Sequence, residues 1–410
     1  MAGPLAPYRV LDLSRVLAAP WVGQTMADLG AEVIKVERPG SGDETRGWGP
    51  PFLADRDGEP TGESAYFLSA NRGKKSVAVD IGTPEGQQIV RDLAAKSDVL
   101  LENYKVGGLA KYGLDYQRLE AVNPGLVYCS ITGFGQDGPY AGRAGYDFMI
   151  QGMSGLMSVT GEAGGMPMKV GVAVSDLFTG LYATVAILAA LSHRERGGAG
   201  QHIDMALLDC QIAALANQTS NFHISGKAPV RMGNAHPNIV PYEAVPTADG
   251  HIILAIGNDR QYARFCEVAG RPELVDDARF AGNAGRVANR DVLMPLIHDI
   301  TRTRAAADWI AALEAVQVPC GPINGLGEVF DDPQVRHRGM RIELDHPLAG
   351  TVPLTASPMR FSGTPVEYGR APPLLGQHTR EVVCGLLGRD AAAVEDLMAR
   401  GICAGTGEAD

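Results

Sequence analysis

The sequence lacks the features that mark nucleic-acid-binding, metal-binding or disulfide-bonded proteins. Its formal net charge is -11 over 410 residues, so a basic surface that neutralises phosphates is not expected. An anionic ligand must therefore be held by local cations rather than by the overall field. The six cysteines are scattered, with no CxxC pair and no histidines at metal-ligand spacing. This pattern predicts reduced structural thiols and no metal site.

Export and membrane signals are also missing from the sequence. The N-terminus, MAGPLAPYRVLDLS, has neither a basic segment nor an apolar core of the secretory type. The longest uncharged apolar run, residues 181–191, is shorter than the roughly 20 residues that span a bilayer. We therefore expect a cytoplasmic protein in which this run is a buried helix.

In the first part of the chain, segments with the hydrophobic pattern of a strand alternate with segments that have the pattern of a helix. Strands are predicted at 8–13, 32–37, 74–81, 98–103 and 126–131, and helices at 20–30, 83–96 and within 114–124. Strands that alternate with helices are typical of βαβ units around a parallel sheet. This part is predicted to be a Rossmann-like α/β domain.

The pattern changes in the second part of the chain. Residues 146–223 are predicted to be mostly helical, and the Gly- and Pro-containing stretch 225–241 a linker. A strand at 251–257 and helices at 259–270, 286–303 and 305–316 indicate a smaller α+β domain. A hairpin is expected in 340–355 and a short helix near 377–388, and the tail 405–410 is expected to fray.

A dinucleotide site does not fit the first βα turn. The GxGxxG fingerprint supplies glycines that let the backbone approach a pyrophosphate. Here the turn 14–19 reads SRVLAA and contains no glycine. Glu37 ends the second strand, where an acid would bind the NAD ribose, but Arg38 beside it fits a phosphate equally well. The sequence therefore argues against an NAD-dependent dehydrogenase.

Asp176 stands alone among small and apolar residues in GVAVSDLFTG, at the start of the uncharged helix. Ser175 is a suitable N-cap, and Asp176 then lies in the first turn, where the helix dipole stabilises an anion. A capping acid is one interpretation. The other is a nucleophile, because a desolvated carboxylate can attack an activated acyl group. A second helix-start acid, Asp147, stands in GYDFMIQ.

Several long motifs in order resemble the class III coenzyme A transferases, the family of formyl-CoA transferase and CaiB/BaiF. They include VLDLSRVLAAPWVGQTMADLGAEVIKVERPGSGD, LLENYKVGGLAKYGLD, SITGFGQDGPYAGRAGYDFMIQGMSG, VGVAVSDLFTGLYA and PPLLGQHT. The resemblance implies that Asp176 is the nucleophile and that CoA thioesters are substrates, with no permanently bound cofactor. It also places an oxyanion loop at Gly257 and Asn258, although the family's glycine-rich version is not kept.

The resemblance also carries over the CoA-contacting positions. Val16 and Ala18, with Leu17 between them, match the turn that lines the pantetheine, and Arg38 matches a contact to the adenine and phosphate end. The other matching residues are Asn71, Arg72, Lys74, Asn103, Tyr104, Lys105 and Lys111. Most of them follow strands, where open α/β sheets bind ligands.

Three alternatives concern the chemistry at this site. Racemases of the same fold carry a proton-transferring histidine where this chain has Tyr146, and tyrosine is a poor base with an unperturbed pKa near ~10. Tyr146 and Asp147 are therefore predicted to belong to a transferase site with Asp176. Leu17 replaces a glutamine typical of oxalate-specific members, which argues against formyl-CoA and oxalate. A CoA-ester-binding protein without turnover remains the third possibility.

The stretch 231–258 resembles succinyl-CoA:glutarate transferases. We therefore expect succinyl-CoA as donor and a C4–C6 dicarboxylate as acceptor. The distal carboxylate needs a cation, and Arg231, His236 and Arg260 are candidates by location.

The family further implies an interlocked homodimer of ring-like chains. The large domain would comprise 1–205 and 345–410, and the small domain 230–325, joined by linkers at 206–229 and 326–344. The active site would lie between the large domain of one chain and the small domain of the other.

Overall fold

A computed structural model describes residues 3–406 of the chain. The residues 407–410, part of the tail for which the sequence predicts fraying, lie outside this range. The strands are β1 Arg9–Asp12, β2 Glu32–Glu37, β3 Phe52–Ala54, β4 Pro60–Ser64, β5 Lys74–Val79, β6 Val99–Glu102, β7 Val127–Thr132, β8 Gln201–Ala206, β9 Tyr242–Pro246, β10 His251–Ala255, β11 Cys320–Pro322, β12 Arg341–His346, β13 Gly350–Thr355 and β14 Cys403–Ala404.

Helices connect most of these strands. The α-helices are α1 Ala18–Asp28, α2 Ala65–Ser69, α3 Pro84–Ala94, α4 Tyr116–Glu120, α5 Asp147–Met153, α6 Leu156–Val159, α7 Val174–Glu195, α8 Leu207–Ala214, α9 Asn217–Ser225, α10 Asp259–Val268, α11 Glu273–Asp276, α12 Asn283–Ala288, α13 Arg290–Thr301, α14 Ala306–Ala315, α15 Leu326–Asp331, α16 Pro333–His337 and α17 Ala391–Ala399. Single 3₁₀ turns span Glu44–Gly47 and Ala110–Tyr112, and a π-helix spans Glu381–Leu386.

The chain divides into two compact units. The first comprises residues 3–156, 170–220 and 336–406, and the second 157–169 and 221–335. The predicted domain boundaries lay near 205 and 345, and the prediction did not separate the segment 157–169 from the larger domain. The predicted linkers 206–229 and 326–344 contain four helices, α8, α9, α15 and α16. Both chain ends contribute to the first unit.

The first unit is built on a seven-stranded sheet with the order β14-β5-β2-β1-β6-β7-β8. All neighbours pair in parallel except β14, which runs antiparallel to β5 at one edge. The six parallel strands follow the doubly wound order in which the chain reverses direction beside β1. The predicted α/β class with a mainly parallel sheet is therefore confirmed.

Side chains alternate between two apolar layers on the faces of this sheet. Val10 and Val33 belong to the layer that contains α1 and α7, whereas Leu11 and Ile34 belong to the layer that contains α3. This period of two follows from the pleat. Because both faces are covered, the central strands bury apolar side chains on both sides, and the charged residues within them, such as Lys35 on β2, are buried as well.

Strand β8 was not predicted, since residues 146–223 were expected to be mostly helical. It forms the edge of the sheet beside β7, and most of its residues are exposed or half-buried. A mixed polar sequence such as QHIDMA becomes a strand here through its pairing with β7, a tertiary contact that local periodicity does not reveal.

Helix α7 lies in the core of the first unit. By length and composition it is apolar enough to cross a membrane, and half of its most apolar stretch is buried inside the protein. It packs on α1, β7 and β8, as a core helix of an α/β unit does. A stripe of exposed side chains remains on its outer face, namely Phe178, Leu181, Tyr182 and Val185.

The second unit has its own core around a three-stranded antiparallel sheet, β11-β10-β9. Helices α10, α13 and α14 supply apolar side chains to it, with the fully buried Trp309 donating from Nε1 to the Thr301 carbonyl at 2.7 Å. Strand β9 was not predicted, whereas β10 and these three helices were.

Candidate active site

Asp176 lines a cavity of about 170 Å³ in the first unit. The predicted residues that line the same cavity are Val16, Leu17, Ala18, Asn103, Tyr104, Lys105 and Tyr146. They come from the first βα turn, the loop after β6 and the segment before α5. The structure thus brings together three separate motifs that the sequence analysis assigned to one site.

A larger cavity of about 550 Å³ adjoins the first, because Arg15, Glu44 and Tyr104 line both. Arg38 and Tyr112 line only the larger one. It opens beside the carboxyl ends of β1, β2 and β5, where doubly wound folds hold nucleotides. Lys111 does not line it, although its ammonium lies 4.6 Å from the centroid of the Tyr112 ring.

Asp147 caps the helix that carries Asp176. Its Oδ1 accepts a hydrogen bond from the Ser175 backbone N–H at 2.8 Å, and its Oδ2 accepts from Gln151 Nε2 at 2.7 Å. The predicted N-cap, Ser175, is instead the second residue of α7, and its hydroxyl donates to Gln211 Oε1 at 2.8 Å. The sequence prediction was wrong here because the cap comes from a residue 28 positions earlier in the chain.

Asp176 is therefore relieved of the capping role. Within residues 3–406, no donor hydrogen-bonds to its carboxylate, although only 8% of the residue is exposed. Burial, and to a smaller extent the nearby Asp147 carboxylate, together raise the pKa of Asp176 to about 7. A buried carboxylate that lines a cavity and has a strongly shifted pKa is a candidate functional group.

Tyr66 is a neighbour that sequence reasoning missed. Burial, together with the negative charges of Asp176, Asp147 and Asp43, raises the pKa of Tyr66 to about 12. Its ring packs edge-on against Trp48 at 5.1 Å between centroids. Tyr66 lies on the short helix α2, outside every motif that pointed to the site, so no sequence signal could have identified it.

The turn between β1 and α1 is held in an unfavourable conformation. Val16 has φ = 72°, in the left-handed region where a β-branched residue is a strong outlier. Its N–H donates to both carboxylate oxygens of Asp43 at 3.2 Å. Asn103 fixes the preceding residue, accepting from the Arg15 N–H at 3.0 Å and donating to its carbonyl at 2.6 Å.

Buried ion pairs support this turn from beneath. Lys35 pairs with Asp43 at 3.0 Å and donates to the Ser14 carbonyl at 2.7 Å. Lys74 pairs with Asp12 at 2.9 Å and donates to the Pro20 carbonyl at 2.8 Å. Burial lowers the pKa of Lys74 to about 8, although Asp12 opposes that shift.

Besides Lys111, three residues predicted to contact CoA line neither cavity. Lys74 is 0% exposed, and Asn71, equally buried, accepts its third hydrogen bond at 2.9 Å. Arg72 pairs with Asp28 at 2.6 Å and donates to the Thr355 carbonyl. The polar stretch NRGK resembles an exposed loop in sequence, but the structure uses these side chains as internal supports.

The remaining predicted residues belong to the second unit. Asn258 caps α10 through its Oδ1, which accepts from the Gln261 N–H at 2.9 Å, and the Gly257 N–H donates to Gln261 Oε1 at 2.8 Å. The Gly257 amide is thus already engaged within its own unit.

The proposed carboxylate-binding candidates of that unit also have local roles. Arg231 donates to the Gly165 carbonyl at 2.5 Å. His236 Nδ1 accepts from the Asn238 N–H at 3.1 Å, as a turn histidine does, and burial lowers its pKa. Arg260 lies exposed in the first turn of α10.

The doubly wound sheet, the glycine-free first turn and the buried Asp176 define an enzyme of the CoA-transferase class. The chain belongs to CoA-transferase family III, whose profile matches residues 5–379. The resemblance carried by the sequence motifs is thereby confirmed. Enzymes of this class act on CoA thioesters.

Individual relatives cover nearly the whole chain. It is 54% identical over 383 residues to the succinate–glutarate CoA-transferase of Agrobacterium fabrum, covering 93% of this chain and 96% of the relative. It is 44% identical over 399 residues to the human succinyl-CoA:glutarate CoA-transferase, covering 97% and 90%. A crystal structure of a CaiB/BaiF family protein from Brucella suis superposes with a TM-score of 0.83 at 52% identity, covering 94% of this chain and 100% of that one.

Proposed function

We propose that this enzyme transfers CoA from succinyl-CoA to a C4–C6 dicarboxylate such as glutarate, through a covalent thioester on Asp176. The observation that supports it most is the free Asp176 carboxylate, which faces the cavity while Asp147 caps the helix. A capping acid needs no cavity, whereas a nucleophile does. The names of the relatives support the choice of donor and acceptor.

The chemistry proceeds through two acyl exchanges. The Asp176 carboxylate attacks the thioester carbonyl of the donor, and CoA leaves as the thiolate, which gives a mixed anhydride. The thiolate then attacks the aspartyl carbonyl, forming aspartyl-CoA and releasing the donor acid as its carboxylate. The acceptor carboxylate repeats these steps in reverse, so no proton or electron is gained or lost overall.

Each tetrahedral intermediate requires donors for its oxyanion. The first N–H groups of α1 have no acceptor within the helix, and Ala18 at its start lines the Asp176 cavity. These amides are available to a ligand, whereas the Gly257 amide is held by Gln261. We therefore assign the oxyanion donors to the start of α1 rather than to the predicted loop.

A racemase-like reaction has less support from the geometry. Abstraction of an α-proton and its return require a base and an acid with suitable pKa values. No histidine is among the described residues that line the Asp176 cavity, and Tyr146, which stands at the racemase position, is 65% exposed. The other ionisable side chains that line this cavity are Arg15, Glu44, Tyr104, Lys105, Arg143 and Tyr146.

The proposed assembly is the interlocked homodimer. It accounts for the exposed stripe on α7, where residues 178, 181, 182 and 185 recur at helical spacing. Contiguous exposed apolar side chains of this kind mark protein interfaces. In that dimer the large domain, made from both chain ends, would meet the small domain of the partner at the active site.

The experiment that tests the proposal is mass spectrometry after incubation with succinyl-CoA. Hydroxylamine or borohydride traps an aspartyl thioester, and we expect the modified peptide to contain Asp176. The Asp176→Ala variant should show no adduct. Asp209→Ala removes an exposed acid from the first turn of α8 and is the matched control, which should still form the adduct.

Two other results would contradict the proposal. Exchange of the α-proton in deuterated water without any adduct would establish a racemase-like reaction. Tight binding of CoA esters with neither adduct nor exchange would establish a binding protein without turnover.

A further inference from the structure

Two cations line the Asp176 cavity without an acidic partner. Arg15 pairs with Glu44 beside it, whereas neither Arg143 nor Lys105 makes an ion pair with any residue between 3 and 406. Of the predicted carboxylate-binding residues, none lies in this cavity. Arg143 was passed over in the sequence analysis, although it stands within a motif of the family resemblance, GPYAGRAGYD.

Aromatic rings hold the Arg143 guanidinium in place. Its central carbon lies 4.5 Å from the centroid of the Tyr140 ring and 5.1 Å from that of Phe134. The two rings pack edge-on against each other at 5.5 Å. Stacking of this kind orients an arginine without neutralising it, and it leaves the N–H edge available to a planar acceptor.

The backbone that carries Arg143 is anchored to the end of β7. Gly133 and Gly145 approach so closely that a Cβ on Gly133 would lie 2.6 Å from the Gly145 Cα. In addition, the Arg143 N–H donates to the Tyr140 carbonyl at 2.9 Å. The arginine therefore stands on a turn of fixed position.

We propose that Arg143 binds the distal carboxylate of the dicarboxylic donor and acceptor. The inference rests on the proposed function and adds the residue that selects its substrates. One end of a dicarboxylate must meet Asp176, so the other end lies in a cavity that already contains acidic charge. A fixed guanidinium that can form two parallel hydrogen bonds stabilises it there.

Lys105 fits this role less well than Arg143 does. An ammonium on a flexible stem is a point charge without a planar fork. Lys105 stands next to Tyr104 on the loop after β6, and Tyr104 lines the adjoining larger cavity as well as the Asp176 cavity. We assign Lys105 to the CoA portion that both donor and acceptor thioesters share.

The first test compares substrates that differ only in the distal group. Arg143→Met should raise the KM for glutarate by about 10- to 100-fold, since a charge-assisted hydrogen bond is lost. With pentanoyl-CoA as donor and pentanoate as acceptor, the rate should change little. Lys105→Met should instead weaken the binding of all CoA thioesters to the same extent and leave the preference for dicarboxylates unchanged. Arg302→Met, at an exposed arginine of the second unit, controls for loss of surface charge.

A binding measurement separates this proposal from the proposed function. The measurement is a calorimetric titration of glutarate into the Asp176→Asn protein, with pentanoate as the comparison. The substitution removes both turnover and the repulsion between the Asp176 carboxylate and the bound acid. We expect Arg143→Met to abolish the preference for glutarate in this background, whether or not the wild type forms an adduct. Glutarate binding that survives Arg143→Met, or equal loss for both acids, would overturn the assignment.

Discussion

Two influences oppose each other at the Asp176 carboxylate. Burial and the Asp147 carboxylate raise its pKa to about 7, whereas its place in the first turn of α7 favours the anion. Burial has the larger effect. The result is a carboxylate that loses its proton near neutral pH and then reacts without strong solvation.

The first prediction concerns pH. If ionised Asp176 is the nucleophile, kcat/KM should rise with pH through about 7 and level off above it, because a group with a raised pKa is protonated below that value. Initial rates with saturating and limiting succinyl-CoA between pH 5.5 and 8.5 check this. A flat profile would show that ionisation of Asp176 does not limit the reaction.

The second prediction concerns Asp147. Asp147→Asn keeps an oxygen for the Ser175 N–H but removes a negative charge near Asp176, so the midpoint of the pH profile should move to lower pH. The shift should stay within about one unit, since burial is the larger cause. Initial rates over the same pH range measure this midpoint. An unchanged midpoint would contradict electrostatic coupling between Asp147 and Asp176.

The third prediction is a stability effect at the same residue. The folded-state pKa of about 7 exceeds the unfolded value of about 3.9, so the folded state retains a proton that the unfolded state releases. Stability therefore falls as pH rises from about 4 to about 7. Asp176→Asn should be more stable than wild type by about 1–3 kcal/mol at pH 8, with a smaller gain at pH 5. Urea unfolding at both pH values measures the difference.

Among the predicted site residues, Asp176 and the first-turn residues line one cavity and Asp147 caps α7, whereas others are buried away from both cavities. Lys74 carries a polar neighbourhood typical of an exposed loop, yet β5 pairs with β2 and brings its ammonium to Asp12 on β1. Such burial depends on strand order. Tyr66 lies far along the chain from the acids that surround it. Arg143 has aromatic neighbours close in sequence, but Asp176, which lines the same cavity, belongs to a different motif.

At the scale of elements, the β1–α1 turn depends on the Asp43 carboxylate. Val16 adopts a conformation that costs a β-branched residue on the order of 1–3 kcal/mol, and the hydrogen bonds to Asp43 oppose that cost. Because Val16, Leu17 and Ala18 line the Asp176 cavity, the conformation of this turn shapes the site.

The fourth prediction tests this dependence with two substitutions. Asp43→Asn should lower kcat/KM at least about 10-fold, because the turn loses its anionic acceptor and Lys35 its partner. Val16→Gly in that background should restore part of the activity, since glycine adopts the left-handed region without strain. Val16→Gly should not recover the stability that is lost when Lys35 has no partner, and thermal unfolding measures that stability. A double variant as inactive as Asp43→Asn would contradict the role of the turn.

The elements themselves were predictable to different degrees. Buried strands such as β2, whose predicted range 32–37 matches the structure, are recognisable because β-branched apolar residues, here Val33, Ile34 and Val36, are concentrated in a short segment. Edge strands such as β8 are not, because solvent exposure leaves their composition mixed. The start of α7 was displaced by two residues, since its cap comes from a distant side chain.

At the scale of the whole molecule, the fifth prediction concerns assembly. A glutamate in place of Val185, which is 64% exposed at the end of the α7 stripe, should convert the proposed dimer to monomers. Val122→Glu, at a residue 51% exposed outside the stripe, is the matched control and should leave the dimer intact. Light scattering after size-exclusion chromatography distinguishes the two. A monomeric wild type, or a dimeric Val185→Glu protein, would contradict the proposed interface.

The fold class of the whole molecule could be predicted from the sequence, whereas the division of the chain into units could be predicted only in part. The alternation of strands and helices predicted the α/β class and the parallel sheet. The segment 157–169, which contains most of α6, groups with the second unit through its tertiary packing, and nothing in its Gly-rich sequence indicates that.

The close contact between Gly133 and Gly145 has a consequence for how new acceptor specificities can arise. Any side chain at either position would force the two backbones apart. Substitution of Gly133 or Gly145 should therefore destabilise the protein whatever the substrate. Natural or laboratory evolution can therefore exchange the residue at 143 and its aromatic neighbours, but it cannot easily move the turn. Changes of specificity should therefore arise by replacement of side chains, while the backbone of the turn stays the same.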